Sequence, residues 1–329
     1  MNKDLKKYRI VITGGAGFIG SNLANFFSNN FDCDVMVVDI FRTNERFDNG
    51  NLKSFGHYKN LLNFNGRILE GDINNKKTLD EIEKFKPHII YHEAAISDTT
   101  VSDQSIMIRT NINSFINLIE ICRKFNSSLI YASSGATYGN AKSPQKVWEN
   151  EMPANVYGFS KLMMDKYALK YAKDIHILGL RYFNVYGENE FFKEKTSSMV
   201  LQFGLQILNG KPPRLFEESD KIKRDFVYIK DVVNANYLAI FAKSGIYNIA
   251  TGIARSFQDI ADILQQELGT NLGNEYIKNP FIKQYQFYTQ ADIENTKKEL
   301  KYEPLFSLEE GIKSYLPEIK RIYESEVNV

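Results

Sequence analysis

Tyr157-Gly158-Phe159-Ser160-Lys161 places a phenol and an ammonium four residues apart. On a helix, positions i and i+4 share a face, so both groups can enter one site. A free phenol keeps its proton to about pH 10. A nearby cation favours the phenolate, which would make Tyr157 a base usable near neutrality. The spacing alone also fits a surface pair. It gains weight from Ser134, which closes the apolar run Tyr131-Ala132-Ser133 and precedes Tyr157 in the chain. The Ser134 hydroxyl could hydrogen-bond a reacting substrate oxygen. The chemistry of the three together is proton transfer at that oxygen.

A second motif lies near the N-terminus, Thr13-Gly14-Gly15-Ala16-Gly17-Phe18-Ile19-Gly20. It satisfies both GxxGxxG (Gly14, Gly17, Gly20) and GxGxxG. The first glycine allows a tight turn, the middle one lets backbone approach a pyrophosphate, and the last lets helix and strand pack closely. A helix opening there offers free N–H groups and the positive end of its dipole to phosphates. Asp39, at the end of the next strand, is placed to hold adenosine ribose hydroxyls, which favours NAD. Arg42 and Arg46 follow, and a guanidinium there suits a 2′-phosphate, which favours NADP. Asp72, after the third strand, could reach the adenine or simply cap its own Gly71-Asp72 turn.

These residues need a scaffold that brings them to one edge. Strands are expected at Arg9–Thr13, Asp34–Ile40, Arg67–Glu70, His88–His92, Ser128–Ser133 and His176–Phe183. Several are apolar on consecutive residues, the mark of parallel strands covered on both faces. Helices are expected at Phe18–Ser28, Lys77–Phe85, Ser102–Lys124 and Val156–Ala172. This alternation predicts an α/β, Rossmann-type doubly wound parallel sheet, with ligands at its carboxyl edge. The dinucleotide-binding domain is placed at 1–184, with returns near 225–250 through strands Asp225–Ile229 and Ile246–Ala250. Residues 185–329 are expected to form mainly a smaller α/β substrate-binding lobe, with helices near Ser197–Leu208, Asp231–Ala242, Ser256–Leu268 and Ser307–Glu324.

Composition narrows the function. The chain has 329 residues, 43% hydrophobic and 25% charged, with net charge +1, so no nucleic-acid or anionic-membrane partner is expected. No apolar run reaches the roughly 20 residues of a membrane span. Met1 to Lys7 is polar, and the apolar run after it passes into glycines, so it reads as a strand and not a leader. Cys33 and Cys122 are read as free thiols of a cytoplasmic protein. The four histidines (His57, His88, His92 and His176) lack metal-ligand spacing, and no metal is expected.

With these motifs in this order, the chain resembles the extended short-chain dehydrogenase/reductase family, and within it the nucleotide-sugar 6-epimerases that act on ADP-heptose. The resemblance spans nearly the whole chain. It rests on His92-Glu93-Ala94-Ala95-Ile96-Ser97-Asp98-Thr99-Thr100, Tyr131–Gly139, Asn155–Lys161 and Arg181-Tyr182-Phe183-Asn184-Val185-Tyr186-Gly187. Later segments are Leu215-Phe216-Glu217, Lys223-Arg224-Asp225-Phe226-Val227-Tyr228, Tyr285-Gln286 and Thr289-Gln290-Ala291-Asp292. It implies epimerisation at C6″ of ADP-D-glycero-β-D-manno-heptose for lipopolysaccharide inner-core synthesis. The sugar carbon would be oxidised to a ketone and reduced again from its other face, with tightly bound NADP (NAD being the alternative) storing the hydride. It implies Ser134, Tyr157, Lys161 and Lys193 as catalytic residues, with Lys195 competing for the role of Lys193 as second base. It implies cofactor contacts at Gly14, Gly17, Phe18, Ile19, Gly20, Asp39, Ile40, Arg46, Asp72, Glu93, Ala94, Ala95, Ser97, Asn111, Lys161 and Val185. Substrate contacts are implied at Asn184, Lys195, Gln202, Phe216, Glu217, Ser219, Arg224 and Tyr285, and a homo-oligomer is implied as well.

The chain departs from the family at three places. Glu188-Asn189 stands where Pro-Arg is common, Gln202 where some members carry histidine, and Glu218 where glycine is frequent. Other activities on this scaffold are distinguishable. A dehydratase needs an acid pair after the catalytic Ser or Thr, and Gly135-Ala136-Thr137 supplies none. A 4-epimerase would use the same Ser/Tyr/Lys set with one base. A non-catalytic NAD(P) sensor would be expected to lose Tyr157 or Lys161, and both are present.

Overall fold

The structure, a computed structural model, describes residues 5–279 and 287–328. Seven strands form one sheet: β1 (Arg9–Thr13), β2 (Asp34–Asp39), β3 (Arg67–Glu70), β4 (Ile89–His92), β5 (Ser128–Ser134), β6 (Ile177–Tyr182) and, much later in the chain, Gly245–Ile249. All pair in parallel, and the order across the sheet is Gly245–Ile249, β6, β5, β4, β1, β2, β3. Every residue of β4 and β6 is buried, because helices cover both faces. The doubly wound sheet read from the sequence is therefore the one observed.

On one side lie α1 (Phe18–Asn30) and, later, Ile229–Ala239; on the other lie α2 (Lys76–Phe85), Ser114–Phe125 and Val156–Tyr171. The helix expected over 102–124 is interrupted. It is α3 (Gln104–Met107), a π-helical turn at Ile108–Asn113, then α4 (Ser114–Phe125). The turn carries Asn111 inward, where its amide accepts from Ile96 N (2.9 Å) and donates to Ile96 O (3.1 Å) and Ser160 Oγ (3.0 Å). Such bulges trade one regular hydrogen bond for a redirected side chain. α5 (Val156–Tyr171) starts at Asn155, whose side chain caps Gly158 N at 2.8 Å.

The later chain adds β7 (Asn184–Tyr186), α6 (Met199–Leu208), β8 (Arg214–Phe216), β9 (Lys223–Tyr228), α7 (Ile229–Ala239), β10 (Gly245–Ile249) and β11 (Ala254–Ser256). After these come α8 (Phe257–Leu268), β12 (Glu275–Ile277), α9 (Glu294–Leu300) and α10 (Leu308–Ile322). β10 joins the main sheet beside β6. β9, which covers the strand expected at Asp225–Ile229, instead centres a small sheet β11-β9-β7. α8 and α10 open with capping boxes, Ser256/Asp259 and Ser307/Glu310. One hydrophobic cluster runs without a break from Leu23, Phe27 and Tyr91 under the main sheet to Tyr186, Phe203, Tyr228 and Ile319 in the later elements. The later elements are thereby fixed against the sheet's carboxyl edge by shared core. Among the described residues no helix is long and apolar enough to cross a membrane.

Candidate active site

The glycine turn leaves β1 and enters α1, and its geometry requires the small residues. Gly14 sits at φ +67°, and a Cβ there would lie 2.6 Å from Ala94 N. A Cβ on Gly20 would lie 2.2 Å from Gly14 O, so the helix could not seat on the turn. A Cβ on Gly17 would meet only Gly14 O, at 3.2 Å, which leaves the space over that residue open. α1 has no side-chain cap, so its first N–H groups face that space. Phe18 is buried at the helix start, with Ile19 beside it half-buried.

Asp39 ends β2 and is buried. Its Oδ2 accepts from Ala16 N (2.9 Å) and its Oδ1 from Phe41 N (2.8 Å). Burial pushes its carboxyl up, opposed by the N–H groups of Ala16, Phe41 and Ile40. Ile40 is exposed. Arg46 donates to Gly50 O (2.9 Å) and pairs with Glu194 at 3.4 Å. Asp72 is exposed and accepts from Asn74 N (2.8 Å) and Nδ2 (3.0 Å), closing its own turn.

Ser134 ends β5, next to β4, and Tyr157 and Lys161 lie on one face of α5. The Ser134 hydroxyl lies close enough to the Tyr157 phenol to favour its ionised form, and the Lys161 ammonium lies 5.9 Å from the Tyr157 ring centroid. Lys161 is 1% exposed and donates to Ala132 O at 2.7 Å. Burial pushes Lys161 down to about 8, opposed by the charges of Glu93 and Asp165. Burial pushes Tyr157 up; the nearby Ser134 hydroxyl pulls it back, and Glu93 adds to the rise. Glu93 follows β4, accepts from Tyr182 Oη at 3.0 Å, and is raised by burial to about 7. Ala94 and Ala95 continue that backbone, and Ser97 is exposed. His92 pairs with Thr13 Oγ1 at 2.8 Å, and burial holds its imidazole neutral, down to about 3.

The segment after β7 returns to the glycine turn. Asn22 donates to Glu188 O (2.9 Å), Asn189 to Ser21 Oγ (3.1 Å) and Asn60 to Asn189 O (3.3 Å). This docking places the Lys193 ammonium 5.3 Å from the Phe18 ring centroid. Burial pushes Lys193 down, opposed by Glu190. Lys195 is exposed and Lys193 half-buried, so Lys193 is the better shielded of the two lysines. Asn184 is exposed and Val185 half-buried on β7. Gln202 donates to Lys195 O (3.3 Å) and Ser197 O (2.8 Å).

Phe216 ends β8, and Glu217 and Glu218 follow on the surface, Glu218 at φ +60°. Ser219 is buried, its hydroxyl donating to Gln258 at 3.5 Å. Arg224 on β9 is 8% exposed, donates to Lys223 O at 2.9 Å and lies 5.9 Å from the Phe257 ring. Tyr285 lies outside the described residues.

Four residues of consequence escaped the sequence reading. Asp165 follows Tyr157 and Lys161 on the same face of α5 and pairs with Arg181 at 2.9 Å, both side chains fully buried. The i, i+4, i+8 spacing was the available signal. Glu190 is fully buried and accepts from Gly187 N (3.1 Å), Ser198 N (2.6 Å) and Ser198 Oγ (2.7 Å). Glu194 binds both Arg42 and Arg46. The last two read in sequence as loop charges.

Residues 10–250 match the model of the NAD dependent epimerase/dehydratase family. An ADP-L-glycero-D-manno-heptose-6-epimerase of Brachyspira hyodysenteriae is 36% identical over 315 residues, 93% of this chain and 96% of that one. The crystal structure of ADP-L-glycero-D-manno-heptose-6-epimerase from Helicobacter pylori superposes with a TM-score of 0.90 at 47% identity, covering 97% of this chain and 98% of that one. A UDP-glucuronic acid 4-epimerase from Bacillus cereus, in complex with UDP-glucuronic acid and NAD, is 26% identical with a TM-score of 0.81, covering 96% and 100%.

Proposed function

We propose that this chain, which belongs to the NAD dependent epimerase/dehydratase family, inverts C6″ of ADP-D-glycero-β-D-manno-heptose to give the L-glycero epimer. The heptose so made serves the lipopolysaccharide inner core. Support comes from relatives of that activity that match nearly end to end. It comes equally from the site, where two half-buried proton-handling side chains are present, Tyr157 beside Lys161 and Lys193 over Phe18 at the end of the glycine turn.

The open space over Gly17 and the uncapped start of α1 fit the pyrophosphate of a nicotinamide dinucleotide. When bound, the nicotinamide stores the hydride between oxidation and re-reduction of the sugar. Gly14, Gly17 and Gly20 would hold the phosphates, Asp39 the adenosine ribose and Lys161 the nicotinamide ribose. Arg42 and Arg46 beside Asp39 favour NADP. Gly20→Ala is expected to lose most retained dinucleotide, measured as nucleotide released per mole of denatured protein; full retention would contradict the turn's role.

The ketone turns over in the pocket, so the alcohol proton must be handled in two orientations. Ser134 holds the sugar oxygen by hydrogen bond, and Tyr157 takes or gives its proton in one of them. Lys193, rather than the exposed Lys195, serves the other. Burial suits it, because a lysine pushed down from its ordinary value holds more neutral amine near neutral pH. Arg224 on β9 would meet the diphosphate. Lys193→Met is expected to lower turnover about a hundredfold, while Lys195→Met changes it by less than about threefold; the reverse ranking would move the second base to Lys195.

The cytoplasm fits the two free thiols, Cys33 and Cys122, and a homo-oligomer belongs to the same reading through the resemblance. The deciding assay incubates the purified protein with ADP-D-glycero-β-D-manno-heptose, without added cofactor, and follows C6″ by NMR. A mixture of epimers is expected. No conversion, even with NADP⁺ or NAD⁺ added, would overturn the substrate and redirect the search to UDP-sugars.

A further inference from the structure

Arg42 and Arg46 converge on one carboxylate, Glu194, through the Arg42 Nη2 ion pair and an Arg46 Nη1 contact at 3.4 Å. Both arginines lie in the loop that leaves β2 after Asp39. Arg42 N donates to Gly56 O at 2.7 Å, and a Cβ on Gly56 would lie 2.3 Å from Asp39 Oδ1. The carboxylate arrives from far along the chain, on the segment that carries Lys193. Phe192 stacks on His57 with centroids 3.6 Å apart, and His57 N donates to Ala16 O of the glycine turn at 3.0 Å.

Glu194 is held in a conformation that disfavours any side chain, φ 53° and ψ −130°. A non-glycine residue there carries backbone strain that its surroundings must offset. Two guanidinium groups on one carboxylate contribute to that offset. On the dinucleotide reading, a ribose 2′-phosphate would be drawn to the position these two guanidinium groups define.

We infer that Glu194 is a cofactor-selecting residue: its carboxylate fills the anion site between Arg42 and Arg46 and competes there with the 2′-phosphate of NADP. NAD can bind with Glu194 in place, whereas NADP must displace it. The carboxylate therefore narrows the preference for NADP that two arginines would otherwise impose. This inference rests on the dinucleotide reading above, since it assigns the selector and not the cofactor.

The test equilibrates purified holoenzyme with NADP and NAD at graded ratios, removes free nucleotide, and quantifies what the denatured protein releases. Glu194→Gln keeps the side chain's size and loses its charge. It is expected to move the competition midpoint about tenfold toward NADP, the size of one partly screened carboxylate acting on two guanidinium groups. Glu194→Gly, which also relieves the backbone, should move it at least as far. Neither change should shift the midpoint in an Arg42→Ala/Arg46→Ala background. An unmoved midpoint in Glu194→Gln, or a shift seen only with glycine, overturns the selecting carboxylate. Protein that retains neither dinucleotide overturns the cofactor reading itself, and this inference with it.

Discussion

Tyr157→Phe is expected to lower epimerase turnover by about a thousandfold, while the protein folds and retains its dinucleotide. The substitution removes one oxygen from a side chain that faces the Ser134 hydroxyl and leaves the ring beneath the Lys161 ammonium. The lost function is proton transfer at the substrate oxygen, an effect of about 10²–10⁴, and nothing else in the pocket replaces it there. The pH dependence should separate this from a packing defect. Tyr157 is half-buried beside the buried Lys161, and Lys161 is pushed down to about 8 by its burial. The pair therefore releases its first proton near or below pH 8, wherever in the pair that proton resides. Turnover needs the singly deprotonated pair, so it should rise tenfold per pH unit on the acid side and level off by about pH 8. Bound oxidised nicotinamide adds positive charge and moves the limb lower. Residual activity in Tyr157→Phe should lack this limb. An acid limb that persists unchanged in the residual activity of Tyr157→Phe, or a wild-type profile that falls as pH rises from 5 to 8, would remove Tyr157 from the role.

Why some of this was readable in the sequence and some was not follows from the range of the interactions. β1, β2 and β4 announce themselves because burial on both faces forces consecutive apolar residues. The glycine turn and Tyr157/Lys161 are local constraints, set by neighbours one helical turn apart. β9 was visible as a strand, but its place in the small sheet was not, because pairing is decided by β7 and β11 and not by its own residues. The π turn that swings Asn111 inward leaves no local pattern; it is imposed by the Ile96 backbone it must satisfy. Glu194 meets Arg42 across 152 residues of sequence. Glu190 reads as surface charge until the docking of the 188–198 segment buries it.

Arg181→Met is expected to cost about 3–5 kcal/mol of stability, the price of stranding a buried partner. Arg181 is fully buried and holds two carboxylates, Asp165 through Nε at 2.9 Å and Glu151 through Nη1 at 2.8 Å, with its guanidinium 4.8 Å from the Tyr138 ring. Asp165 also accepts from Tyr131 Oη at 2.8 Å, so β5, β6 and α5 meet at this one carboxylate. Methionine fills much of the volume but pairs with neither acid. Burial already pushes Asp165 up, and Arg181 is the main force holding it down. Without Arg181, the folded-state value lies further above the unfolded one. The folded variant then binds more protons than the unfolded chain across that window, so its stability falls as pH rises through it. The deficit should be smallest near pH 5 and full by pH 8, read from urea midpoints at both values with the m-value unchanged. A double variant, Asp165→Leu/Arg181→Met, should recover part of the loss, since an apolar pair strands no charge at that contact. The same substitution removes from α5 the charge that favours Lys161 as ammonium, so activity in the double variant should show a lower acid limb than the wild type. A deficit under about 1 kcal/mol that does not change with pH would mean that packing alone holds α5 to the sheet and that the ion pair beneath Lys161 does not serve stability; an unmoved acid limb in the double variant would mean that it does not serve proton transfer.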